Sequence, residues 1–354
     1  MRLTVAALLL ITFFSVFQAT AQDIRPIRDS VGFCWNPMQM ERLISYLASI
    51  EKGPAYPKQI VAGISPHDDY LYAGRMYYPL FPSLHVGQIV IFGVTHGTVR
   101  KEIGDPKGIL LLDDYKEWSG CGKNIGISPL RDYIFSRLDT SMFRLDNKAH
   151  RLEHSIEALV PWIQYFNPDA TITPIMVTAM SFERMDEISK QLAQIIAAYV
   201  AENHLTLGKD IAFLCSSDAN HYGKDFSNSP FGMDDAAHAM GTVQDQRIAS
   251  DFLTGQIDTT KIRLLTSALK DIVWCGRYSI PFGILTAHKV ATLSAKKSLN
   301  GTLLRYSDSY SEGTLPVTKT GMGTTAIFSL GHWVGFFSAA YSLDSVQATQ
   351  TPPH

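Results

Sequence analysis

Cysteine is scarce: four in 354 residues, at positions 34, 121, 215 and 275, and no two form a Cys-x-x-Cys pair. That spacing excludes a zinc ribbon and a disulfide-dense scaffold. One bridge in an oxidising compartment is compatible with it, and Cys34 with Cys121 is the pair outside the expected core strands. Charge is sparse and evenly mixed. Lys and Arg number 31 against 33 Asp and Glu, a net of −2, with no run of five like charges. A nucleic-acid surface needs clustered cations to displace counterions, so no nucleic acid is expected, and the partner should be a small molecule or a peptide. There is no internal repeat, no low-complexity linker and no second apolar run of membrane-spanning length. What the chain has in quantity is core material, 46% hydrophobic with 18 Phe, 15 Tyr and 5 Trp, which excludes a mostly disordered chain.

The one long apolar run is at the start. Arg2 precedes Leu3 to Phe17, and Ala19-Thr20-Ala21 follows. A basic start, about 15 apolar residues and an Ala-x-Ala end read as a secretory signal cleaved after Ala21. An uncleaved anchor usually needs about 20 apolar residues. The expectation is an exported protein, periplasmic or secreted, with a soluble mature chain.

Apolar periodicity divides the rest. Strand-length runs rich in branched residues fall at 59–65, 88–94, 170–177 and 210–215, with later ones at 303–307 and 324–330. Helical spacing marks 38–49, 152–166, 183–204, 233–252 and 280–293. The stretch 101–126 is looser. Strands alternating with helices predict a single α/β domain over 22–341, a central, mostly parallel sheet flanked by helices, with a polar tail over 342–354.

Polar residues cluster just past the strands. The first run ends in Pro66-His67-Asp68-Asp69-Tyr70, the second in Thr95-His96-Gly97, and the fourth in Ser216-Ser217-Asp218-Ala219-Asn220-His221. Ligands in open α/β sheets bind beyond the carboxyl ends of strands. Three imidazoles delivered to one edge suggest a metal, since imidazole is the commonest metal ligand and catalytic metals typically take three protein ligands. Cys275 offers a thiolate. It sits ahead of a helix with Arg277 two residues on, and both features lower a thiol pKa. His150-Arg151-Leu152-Glu153-His154 also fits the inverted zinc-peptidase pattern.

Pro66-His67-Asp68-Asp69-Tyr70, Gly93-Val94-Thr95-His96, Glu153-His154-Ser155-Ile156-Glu157, Ser216-Ser217-Asp218 with His221-Tyr222-Gly223, and Cys275-Gly276-Arg277 occur in the order and spacing of the Memo family. The chain resembles that family, which includes protein B of the AmmeMemoRadiSam system, from about Val31 to Phe328. The resemblance implies a fold like that of class III extradiol dioxygenases, and one mononuclear metal ion, iron or copper with zinc as a third option, on His67, His96 and Cys275. It places His221 at the dioxygenase catalytic histidine. It also implies a dioxygenase-like redox activity and a separate peptide-binding role. Asp68-Asp69 stands where the family usually has Ala-Gly, and the second motif has one histidine where the family usually has two.

In this reading His221 is the general acid/base, Asp218 or Glu153 fixes its tautomer, and His154 donates a hydrogen bond to bound substrate or oxygen. The rival readings are a non-catalytic module on the same fold, with Arg277 and Tyr222 as recognition groups for a peptide or small acid, and a zinc hydrolase built on His150, Glu153 and His154.

Overall fold

The apolar runs become strands buried on both faces. In the computed structural model, which describes residues 23–51, 56 and 58–345, ten strands form one sheet. They are β1 (Ala62–Ser65), β2 (Gln88–Val94), β3 (Leu110–Leu112), β4 (Phe143–Leu145), β5 (Thr171–Val177), β6 (Ile211–Ser216), β7 (His221–Gly223), β8 (Gly255–Gln256), β9 (Lys297–Asp308) and β10 (His332–Ser345). The order is β8-β9-β10-β1-β6-β2-β5-β3-β4, with β7 paired to β10. The middle four, β1, β6, β2 and β5, are mutually parallel. Antiparallel pairs flank them on both sides, so the expected parallel sheet has mixed margins.

Side chains alternate along a strand, and both faces here are apolar. In β2, Ile89 and Ile91 enter one core while Val90 and Phe92 enter the other. The first core is covered by helices α1 (Pro37–Ile50), α2 (Tyr70–Tyr77) and α5 (Val160–Phe166). The second is covered by α6 (Phe182–Glu202), α7 (Asp235–Leu253), α8 (Thr259–Ala268) and α9 (Ser279–Ala295). Two short helices, α3 (Gly97–Glu102) and α4 (Asn147–Leu152), sit near the carboxyl edge of the sheet.

The helices start where their local chemistry allows. Asn36 accepts hydrogen bonds from the Met38 and Gln39 N–H groups at 3.0 and 3.2 Å, and Pro37 opens α1 without wasting a donor. Met40, Leu43, Ile44 and Leu47 then form its buried stripe. Ser181 and Asp234 cap α6 and α7 in the same way.

Three expectations need correction. The helix expected over 152–166 is broken: α4 ends at Leu152, Glu153 is extended, and α5 begins only at Val160. Pro161 fits a helix's first turn but would clash with the preceding turn in an interior. Residues 324–330 are loop, and the final strand is β10, which runs beyond the expected domain end at 341. Ser342 pairs with Asn300 of β9. All four cysteines are free thiols. Cys34 is buried with its Sγ 3.5 Å from the Asn36 carbonyl, and burial pushes the Cys121 thiol up to about 12. The leader expected over 1–21 and the tail from 346 lie outside the described residues. No helix among the described residues is long and apolar enough to cross a membrane.

Candidate metal centre

Strand register sets the site. Ser65 and Ser216 are partners across β1 and β6, and β2 runs beside β6 in the same direction. Two residues past the three strand ends stand His67, Asp218 and His96, at one level of the carboxyl edge. This is the edge to which the sequence pointed. Among the described residues it holds two overlapping groups of ligand-type side chains, His67–His96–His154 and His67–Asp218–Cys275, with the ligand atoms of each within 4.8 Å of one another. His67, His96 and Cys275 do not form one such close set. His67 is the member shared by both, so together they make a single candidate metal site.

Each histidine ligand is held from behind. Ser216 donates its hydroxyl to the Ser155 carbonyl at 2.5 Å, which leaves its lone pairs to accept from His67 Nδ1 at 2.8 Å. The His67 proton is therefore on Nδ1, and the bare Nε2 faces Cys275 Sγ and Asp218 Oδ2, each at 3.3 Å. His96 donates from Nδ1 to Glu153 Oε1 at 2.8 Å, which again leaves Nε2 for the site. Outward-facing Nδ1 protons bound to a carboxylate or hydroxyl are the arrangement metal-bound histidines require. The break in the expected 152–166 helix is what frees Glu153 to make this contact.

Cys275 reaches the centre on a tight loop. Its Sγ accepts the Asp218 N–H at 3.1 Å. A Cβ added at Gly276 would lie 2.1 Å from Ser217 Oγ, so only glycine lets the loop sit this close. The expectation of a thiol acidified by Arg277 and a helix start is overturned. Helix α9 starts four residues later, and burial, with the Asp218 carboxylate beside it, holds the thiol well above its usual value.

Electrostatics divide the cluster by partner. Burial, then the positive fields of His96 and His154, holds His67 well below an ordinary imidazole. Burial would also depress His96, but the Glu153 carboxylate outweighs it and the net shift is upward. Burial opposes ionisation of Glu153 too, yet His96 holds its carboxyl well below the usual range. Asp218, buried, is pushed up to about 7. Asp68 is raised well above an ordinary carboxyl by burial and by Asp218 and Asp69. Asp69 has turned away from the centre to accept the Thr325 N–H at 2.5 Å and its hydroxyl at 3.0 Å, and so pins the loop before β10.

The remaining sequence candidates fall as follows. His221 opens β7 and lines a pocket of about 180 Å³ together with His96, Arg100, Cys275, Arg277 and Tyr278. Its tautomer is fixed by the Ala219 carbonyl at 3.2 Å from Nδ1, whereas Glu153 serves His96 and Asp218 accepts the His67 main-chain N–H. Burial lowers His221 to about 4, so it is a neutral proton acceptor and not an acid poised near neutrality. His154 stacks on His96 with centroids 4.7 Å apart and is likewise lowered to about 4, by burial and then by His96. Tyr222 is fully buried, stacked on Trp333, and cannot be a recognition group.

His150 points elsewhere. It is buried against Trp118 with Nε2 3.0 Å from the Leu111 carbonyl, and α4 ends before Glu153 and His154. The helical turn that a zinc-peptidase pair needs does not exist here, which overturns the hydrolase reading. Sequence reasoning gave no role to Ser216 or Arg25. The Arg25 guanidinium, 0% exposed, holds the carbonyls of His150 and Glu153 and the Glu157 carboxylate. No local pattern marks a residue more than 120 positions away as part of the site.

Comparison with known proteins gives the family. Residues 32–316 match the family model described as Memo-like protein. A MEMO1 family protein of Pyrococcus horikoshii is 27% identical over 272 residues, covering 75% of this chain and 85% of its own length. Another, from Methanosarcina barkeri, is 29% identical over 169 residues, covering 47% and 56%. A third, from Saccharolobus islandicus, is 31% identical over 167 residues, covering 45% and 52%. The chain thus spans only about half the length of the last two.

Proposed function

This chain belongs to the Memo-like family, and we propose that it holds one iron or copper ion on His67 Nε2, His96 Nε2 and Cys275 Sγ and serves as a dioxygenase-like redox enzyme. The observation that carries the reading is the pair of bare Nε2 atoms, each fixed by a hydrogen bond at Nδ1. Two ligands of a four-coordinate ion with bonds of about 2.0–2.3 Å lie roughly 3.3–3.7 Å apart. The 3.3 Å between His67 Nε2 and Cys275 Sγ fits that spacing, whereas His96 Nε2 and Cys275 Sγ lie more than 4.8 Å apart and would have to draw together around the ion. Asp218 Oδ2, at 3.3 Å from the same nitrogen, is a further oxygen donor.

The donor set is mixed in softness. Imidazole suits iron, copper and zinc alike, while a thiolate tilts the choice toward copper. When bound, iron or copper would supply one-electron chemistry and a Lewis-acidic position. The protein's own part is orientation and proton handling. Glu153 and Ser216 lock the two imidazoles, and the Asp218 N–H holds the sulfur. His221 accepts a proton at Nε2 from a substrate group in the pocket, and His154 offers a second imidazole beside His96. On the pattern of residues 1–21 this chemistry belongs outside the cytoplasm, which fractionation of an expressing cell checks.

Loading with Cu(II) or Fe(III) should give a thiolate-to-metal absorption band that Cys275→Ser removes, and loaded protein should consume oxygen with a catechol-type substrate. A band unchanged in the serine variant rules out Cys275 as a ligand, and loaded protein that takes up no oxygen with such substrates rules out the dioxygenase-like activity.

A further inference from the structure

Two guanidinium groups stand on the rim of the pocket, and no acid lines it. Arg277 is partly buried. Its main-chain N–H donates to the Trp274 carbonyl at 3.3 Å, and its side chain has no hydrogen bond or ion pair among the described residues. Arg100 has one acid near it, Asp105, at 3.7 Å from Nε, and Lys107 shares that acid at 3.4 Å. The Arg100 Nε is buried without a hydrogen-bond partner. Arg277 therefore has no carboxylate of its own among the described residues, and an oxyanion ligand would complete its fork with charge-assisted hydrogen bonds.

The approach has the same sign. A second hollow, of about 320 Å³, shares Arg277 and Tyr278 with the inner pocket and adds Arg263 and Lys270. Its one acid, Glu183, is already bound to Arg263 at 2.7 Å. Unneutralised cations along a cleft raise the local concentration of anions and steer them inward. The pocket that shares Arg277 with this hollow is lined by His96, His221 and Cys275, so an anion anchored on Arg277 would lie beside the proposed centre.

We propose that the pocket binds an organic oxyanion, a carboxylate or a phosphate ester, with Arg277 as its principal anchor and Arg100 as the second. This builds on the function proposed above by naming the ligand class for the same site. Arginine suits the task because its planar fork meets two oxygens of either group at once.

Calorimetry on metal-free protein separates this claim from the metal claim. The probes are benzoate, phenyl phosphate and the neutral benzamide. At least one anion should bind tenfold or more tightly than benzamide, and the stronger of the two identifies the oxyanion. Arg277→Gln should weaken that anion about 10- to 100-fold, Arg277→Lys less so, with benzamide affinity and metal stoichiometry unchanged. Equal binding of the anions and benzamide overturns the proposal, as does an Arg277→Gln protein, folded by circular dichroism, that binds the anions as well as wild type. Failure of the metal reading would show separately, in metal content, whatever the anions do.

Discussion

Glu153 grips His96 at two points. Oε1 accepts the ring Nδ1–H at 2.8 Å and Oε2 accepts the main-chain N–H at 2.9 Å. Oε1 also receives the N–H groups of His154 and Ser155, at 2.9 and 3.0 Å, so one buried carboxylate organises both sides of the centre. An amide cannot reproduce four accepted hydrogen bonds. Glu153→Gln should therefore weaken metal binding by about 10- to 100-fold, the usual effect of losing a carboxylate behind a metal-bound histidine. Competition with a chelator of known affinity measures it, and an unchanged constant would contradict the assignment.

The Glu153 segment depends in turn on Arg25. This buried guanidinium bonds to the Glu157 carboxylate and to the carbonyls of His150 and Glu153, and stacks over Trp118 with its carbon 4.4 Å from the ring centroid. Glu157 also accepts the N–H groups of Arg28 and Asp29, at 2.8 and 2.7 Å. Arg25→Ala leaves a buried carboxylate without its counter-charge, a defect worth about 3–5 kcal/mol. Urea unfolding should show a loss of that order. Arg25→Ala with Glu157→Gln should recover part of it, since the uncompensated charge is gone.

Much of the fold and the site's location could be read from the sequence. The run Gln88–Val94 is β-branched and uninterrupted, and that local signal placed β2 and, two residues on, His96. The same reasoning placed His67 and Asp218. What failed was decided at long range. Residues 152–166 keep an apolar rhythm through a region that is not one helix, and the break at Glu153 is held open by Arg25, 128 positions away. The Cys275 thiol was misjudged for the same reason. Its neighbour in sequence is Arg277, but its neighbour in space is Asp218.

Asp245 links the two loops that carry the site and gives the protein a pH signature. From α7 it accepts the Trp274 Nε1–H at 2.7 Å, beside Cys275, and the Asn220 N–H at 3.2 Å, beside His221. The Tyr306 hydroxyl donates to it at 3.0 Å. Burial pushes its carboxyl up to about 7 against those donors. In the unfolded chain an Asp titrates near about 3.9, so between these values the folded state binds more protons. This contribution to stability is fully present below about pH 4 and is lost as the pH rises through about 7. Midpoints of thermal unfolding should fall across that window in wild-type apoprotein and fall less in Asp245→Asn. Parallel pH curves for the two proteins would show that Asp245 stays ionised in the fold.

The most direct measurement is elemental analysis of purified protein after reconstitution with iron, copper and zinc in separate samples, with wild type beside His96→Ala and Cys275→Ala. A centre in which His67, His96 and Cys275 share one ion predicts about one equivalent of iron or copper per wild-type chain, and strongly reduced content in both variants. Wild-type protein that retains none of the three metals above background would contradict it, as would variants that hold as much as wild type.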